Sequence, residues 1–457
     1  MSRGNLFAYV VLFMWPIFSI WLYKTKTIQV ASIWTILGGF MVLPAGTFVD
    51  FPLIPPLGKN SIPALAAIIG CWQVKRRKIT YFSNKGFINI LVVFMFVGPL
   101  LTVLLNGDRV IVGGRILPGL NFHDAISTTI PKILYITPFF IGRQFFRTYE
   151  DQLLTFKILV VAGLVYSLPM LLEIRISPQL HTWVYGYFPH SFLQQARDGG
   201  FRPVVFMGHG LWVAFFTACV LLASAVLWKR REKIRKFSPS MVSYYLLILL
   251  VLCKSMASLV YGVFALVVIK SMTYKMQLRI AVVLAILALS YPTMSILKLF
   301  PHQKVAEVAT STMGAERSES LVYRFNNEHI LLDHARKRFF FGWGGWGRNR
   351  VYDDETGNDI SVTDGRWIIT FGVSGFLGFI AEFGLLGITI FRARIASKLI
   401  KSSQELALLA AHALLIGIIM IDQLPNASLA PWLWLLAGIL LGRSEDIMSK
   451  KKAPINK

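Results

Sequence analysis

The sequence predicts an all-α polytopic membrane protein with about 12–13 transmembrane helices and one large external loop. Three observations predict it. The chain is 55% hydrophobic and 15% charged, with mean hydropathy +0.58, a composition suited to lipid rather than water. Apolar runs approaching the roughly 20 residues that span a bilayer recur along its length. The basic clusters KRRK (75–78), KRREKIRK (229–236), RAR (392–394) and KKK (450–452) fall on one side when each run crosses once.

The expected spans are 6–23, 28–45, 61–74, 86–105, 126–146, 153–173, 204–228, 240–253, 256–270, 280–297, 367–391, 405–421 and 430–442. Residues 240–270 are expected as a hairpin turning near Lys254, because one long helix would place RAR and KKK on the wrong side. The net charge of +24 would suggest nucleic acid in a soluble chain. Here the positive-inside rule accounts for it, and no nucleic-acid partner is expected. The chain then divides into helices and short loops (1–297), the long loop (298–366) and a C-terminal helical part with a cytoplasmic tail (367–457). The N-terminus is expected outside; an alternative with one span fewer starts in the cytoplasm.

Cys71, Cys219 and Cys253 all lie within expected spans, so no external disulfide framework is indicated. The loop 43–60 carries four prolines and reads as a stiff cap over the helix ends. Around Gly113-Gly114 the apolar–polar alternation predicts a small hairpin. In GGFRPVVFMGHG (199–210), Pro203 is placed to open a helix. Arg202 and His209, seven residues apart, would then share one face of it, a candidate anion site.

The long interval carries the most chemistry. Ser318 and Glu319 are placed to open a helix. Arg324 and Glu328 form an i, i+4 pair with His329 beside them. RKRFFFGWGGWGRNR (336–350) follows, with Trp343, Trp346 and Arg348. Glycine allows close backbone approach, tryptophan offers flat faces to sugar rings, and arginine reads phosphate in bidentate fashion. Asp364, Arg366 and Trp367 lead into the next span, with Trp367 as an interface anchor. The glycines Gly372, Gly375 and Gly378 suit close helix packing, and the buried Glu382 calls for a structural partner. No HxxxH pair and no EF-hand spacing is present, so no metal and no cofactor is expected.

The stretches GGFRPVVFMGHG (199–210), YRFNNEHILLDHARKRFFFGWGGWG (323–347) and TDGRWIITFGVSGFLGFIAEFGLLG (363–387) together resemble the bacterial O-antigen ligase and polymerase superfamily. The likeness covers roughly the central and C-terminal two thirds, and the loop 43–60 is closest to the exopolysaccharide-polymerase branch. The resemblance implies a metal-independent, C-type glycosyltransferase in the bacterial inner membrane with a periplasmic active face. It implies an undecaprenyl-diphosphate-linked glycan donor, a glycan acceptor, membrane lipid and other polysaccharide-assembly proteins as partners. Arg202 and Arg324 match the arginines assigned to the diphosphate. Ligases carry a His at the head of the span after the long loop, where this chain has Asp364. Asp364 as general base therefore rests on its position, with Glu328 and His329 as the other candidates. His209, His329, Trp343, Trp346, Arg348 and Arg366 are the expected substrate contacts. Two other classes compete: a flippase or exporter of lipid-linked glycans, and a non-catalytic subunit of an assembly complex.

Overall fold

The computed structural model describes residues 4–51, 54–82, 86–197, 199–234, 236–313 and 315–450. Its helices are α1 (Leu6–Thr25), α2 (Ile28–Val42), α3 (Ile62–Val74), α4 (Gly86–Leu104), α5 (Phe122–Phe145), α6 (Tyr149–Ile176) and α7 (Gly210–Lys229). There follow α8 (Pro239–Leu252), α9 (Met256–Ser271), α10 (Tyr274–Ile296), α11 (His302–Met313), α12 (Ala315–Arg336), α13 (Arg366–Ala396), α14 (Ser403–Asp422) and α15 (Pro431–Lys450). Eight of them, α1, α4, α5, α6, α7, α10, α13 and α14, are long and apolar enough to cross a membrane, and α2, α3, α8 and α9 are shorter apolar helices. The chain is an all-α, multi-pass membrane protein. Every span read from the sequence corresponds to one of these helices, and the 240–270 region is a hairpin with Lys254 between α8 and α9.

Local chemistry starts many of these helices. Asn5, Thr27, Thr273 and Ser402 each accept a backbone N–H of the first turn. Asn121 with Asp124, and Thr148 with Asp151, form reciprocal capping boxes, so donors left over at the helix start are satisfied. Helices α7, α14 and α15 form the buried centre, whereas α1 exposes Leu6, Phe13 and Ile17. Helix α15 lies directly on α5. A Cβ at Gly438 would sit 1.9 Å from the Phe139 carbonyl oxygen, so only glycine allows that approach. Arg143 grips Glu445 bidentately at 2.9 and 3.1 Å and ties the same two helices together about one turn further along α5.

The hairpin expected at Gly113-Gly114 is present, with Val110–Val112 antiparallel to Arg115–Leu117 and Val112 opposite Arg115. The proline-rich loop also forms a ladder, Phe48 opposite Gly58. It is pinned to the 177–209 segment by His181. The His181 ring donates from Nδ1 to the Tyr187 carbonyl at 2.8 Å and accepts the Ala45 N–H at Nε2, 3.2 Å away. Burial pulls the His181 pKa down to about 4, which keeps the ring neutral and able to do both.

Three local expectations give way to the structure. Helix α7 starts at Gly210 with His209 as its N-cap, and Pro203 opens no helix. Arg202 and His209 therefore share no helical face. Ser318 lies inside α12, which begins at Ala315; the side chains of Ser318 and Glu319 lie outside the described residues, as do Lys451 and Lys452. Trp367 is no surface anchor: it is 0% exposed and meets Tyr291 edge-on at 5.7 Å.

The largest departure is in α13. It is two helices joined at Gly375, whose φ of 66° and ψ of −170° are not helical. The FFFGWG segment heals the break. Phe376 and Leu377 donate their N–H groups to Phe339 and Phe340, while Gly372 and Val373 accept from Trp343 and Gly344. A backbone interruption at membrane depth persists only when other protein groups satisfy it. A Cβ on Gly375 would lie 2.3 Å from the Phe340 carbonyl carbon.

Candidate functional site

The broken helix creates the site. Arg366 and Glu382 are 16 residues apart on α13, which in a straight helix is about 24 Å. The turn at Gly375 brings them into a bidentate ion pair at 2.5 and 3.0 Å. The Glu382 side chain is 2% exposed and that of Arg366 27%. Arg366 also lies over the Tyr135 ring at 5.7 Å. Its backbone N–H is held by the carbonyls of Gln423 and Asn426, so the loop after α14 fixes the head of α13.

This pair forms one wall of a cavity of about 560 Å³, lined also by Lys59, Lys132, Tyr135 and Trp212. Lys132 donates from Nζ to the Ser374 hydroxyl at 3.2 Å, beside the break. Lys59 donates from Nζ to the carbonyls of Leu43, at 3.0 Å, and Phe206. Neither lysine has a carboxylate within ion-pair distance among the described residues. Burial lowers the pKa of Lys59, so an incoming anion there favours the protonated ammonium. Three basic groups thus face one carboxylate that is already paired. Phe48, Pro56, Ile369 and Val373 complete the lining with apolar surface. A cavity of this make-up accommodates an anion attached to an apolar body.

Of the residues expected from the sequence, only Arg366 lines this cavity. The others fall into three groups around it. Arg202 is bonded from Nε to the Lys254 carbonyl at 2.9 Å. His209 accepts the Leu211 N–H at Nδ1 and lies 6.5 Å, ring to ring, from Trp212 of the cavity wall. Burial, with His190 and Arg202 nearby, holds His209 at about 4, so it is neutral. The second group is Arg324, Glu328 and His329 on α12. Arg324 is exposed. Glu328 accepts the Tyr291 hydroxyl at 2.5 Å, and His329 pairs with Asp333 at 3.3 Å. Asn327 accepts the Val362 N–H at 3.2 Å, which places this group next to the irregular segment leading to Asp364. Asp364 itself is exposed.

The third group is structural in its contacts. Arg348 is 1% exposed; it donates to the carbonyls of Asp108 and Pro118 at 2.7 and 2.9 Å and ion-pairs Asp108 at 3.5 Å. Its donors therefore brace the 106–118 loop against the glycine–tryptophan segment. Trp343 stacks on His334 at 4.4 Å and donates its N–H to the His334 carbonyl at 2.9 Å. Trp346 is different, 67% exposed with its N–H on Asp124 at 2.8 Å. It bounds a recess that shares Thr128, Val373 and Ser374 with the main cavity.

Compared with known proteins, the chain matches no protein-family model and no curated protein. Sequence reasoning missed Lys59 and Lys132 as site residues. For Lys132, its place inside an apolar span was the available signal, since an intramembrane charge requires a functional or structural reason.

Proposed function

We propose that the protein is a membrane glycosyltransferase that polymerises, or ligates, undecaprenyl-diphosphate-linked oligosaccharide repeat units at the periplasmic face of a bacterial inner membrane. One observation carries this reading. The cavity sets Lys59, Lys132 and Arg366 against the single carboxylate of Glu382, beside an apolar wall. Such surroundings match a lipid-linked diphosphate better than a neutral sugar or a free apolar molecule.

The chemistry requires the acceptor hydroxyl oxygen to attack the anomeric carbon of the donor sugar. The bond from that carbon to the diphosphate oxygen breaks, and its electron pair leaves with the diphosphate. Basic side chains in a partly dehydrated cavity stabilise the charge that develops there, with no metal called on. The hydroxyl proton passes to a carboxylate base. Asp364, two residues from Arg366, is the residue we assign; Glu328, poised at about 7, is the alternative.

The test is transfer by purified protein in nanodiscs, given a lipid-diphosphate-linked repeat unit and EDTA. A ladder of longer lipid-linked products, lost in Lys132→Ala and Asp364→Asn, supports polymerisation. Glycan moved to an added acceptor without a ladder supports ligation. No transfer in either format contradicts the enzymatic reading and favours transport or assembly.

A further inference from the structure

A second cavity lies away from the first, on the helix ends that carry the basic clusters. It is a groove of about 440 Å³ between α6 and α8, lined by Val161, Leu164, Val165 and Leu168 on one side and Met241 and Tyr245 on the other. The four α6 residues are spaced i, i+3, i+4, i+7, so they form one apolar stripe about 10 Å long. The polar group on the floor is already satisfied, because Tyr245 donates its hydroxyl to Ser167 at 2.7 Å. Val165, Leu168 and Met241 are 59%, 68% and 67% exposed, so the groove opens laterally to the membrane.

Its end is closed by the loop between α7 and α8, where Ile234 is buried and bridges to Phe237. The charges around that end are unequal. Lys157, one turn from Val161, pairs with Glu232 at 2.9 Å, and Arg230 pairs with the same carboxylate at 3.3 Å. Glu232 is thereby used twice. Arg231, Lys233 and Lys236 are exposed and have no carboxylate partner among the described residues.

We propose that this groove is a binding site for an anionic phospholipid, with one acyl chain along the α6–α8 stripe and the phosphate on Arg231, Lys233 and Lys236. An apolar groove alone would accept an acyl chain of any lipid. The unpaired cations at its mouth select the headgroup, since each basic residue near a membrane surface adds to anionic-lipid affinity. The site is independent of the glycan reading.

Native mass spectrometry of the purified full chain, released from nanodiscs of equal phosphatidylglycerol and phosphatidylcholine, tests it. The wild type retains phosphatidylglycerol over phosphatidylcholine by about tenfold or more. The triple variant R231Q/K233Q/K236Q, confined to an exposed loop, loses that preference. Leu168→Trp, which fills the groove from its lip, lowers retention of both lipids while thermal unfolding stays near wild type. Equal retention of the two lipids by the wild type overturns the proposal, as does a preference that survives the triple variant. Unchanged retention in Leu168→Trp overturns the placement of the chain.

Discussion

Burial pushes the Glu328 carboxyl up to about 7, against the Tyr291 hydrogen bond and the nearby Arg324 charge, which pull it down. The sign follows from linkage. In the unfolded chain this carboxyl is ionised above its ordinary range, near about 4.3. Between that value and about 7 the folded state holds a proton that the unfolded state has lost. Docking of α12 is therefore strongest below this window, and weakens as pH rises through about 7. Hydrogen-exchange protection over 322–336, taken relative to the base-catalysed intrinsic rate, is expected to fall between about pH 5 and about 7 in the wild type. Glu328→Gln should remove that dependence; an equal pH response in both proteins would show that Glu328 is not its source. At this scale the sequence was partly legible. Arg324 and Glu328 are neighbours as their spacing implies, but Glu328 bonds Tyr291, far away in the chain. Arg348 has the chemistry of a phosphate reader, yet its donors are taken by carbonyls of a loop some 240 positions earlier. Residue type alone carries no information about such partners.

Gly375 decides the element that matters most. Its φ of 66° with ψ of −170° lies where glycine alone is comfortable. The expectation from the spacing of Gly372, Gly375 and Gly378 was close packing against a neighbouring helix. Close packing is present, but the neighbour is the irregular FFFGWG segment, and its intrusion interrupts the helix. No local pattern distinguishes these outcomes, because the backbone partners lie 29 to 37 residues upstream. The mid-helix Gly375→Ala is expected to cost at least about 1–3 kcal/mol from backbone strain alone. It should also separate Arg366 from Glu382. The measurement is thermal unfolding in detergent alongside transfer activity. Wild-type stability and activity in Gly375→Ala would contradict the account of the break. The start of α7 was misread for a related reason. Pro203 suits a first helical turn, but the capping chemistry belongs to His209.

At the scale of the molecule, the positions of the spans were legible because apolar length is a property of composition, and each expected span has its helix. The orientation we propose follows from the basic clusters, which fall on one side when the expected spans cross in turn. A reporter active only outside the cytoplasm should therefore work when inserted at 353–358 and fail when fused after Lys450. The reverse result would invert the proposed topology. What the sequence did not reveal is the cavity, because its walls come from five distant places: the 43–61 loop, α5, the head of α7, and both halves of α13 around the break. The lysines in it looked like isolated charges until the fold placed them together.

The most direct test is equilibrium binding of a polyprenyl-diphosphate donor to the purified protein in nanodiscs, with wild type compared against Lys132→Gln. The account predicts that the loss of this one ammonium weakens binding by about tenfold or more, as expected for a charge-assisted contact to phosphate. Binding of a polyprenol without phosphate should be unchanged. Equal affinity of the two proteins for the diphosphate would contradict the assignment of the cavity.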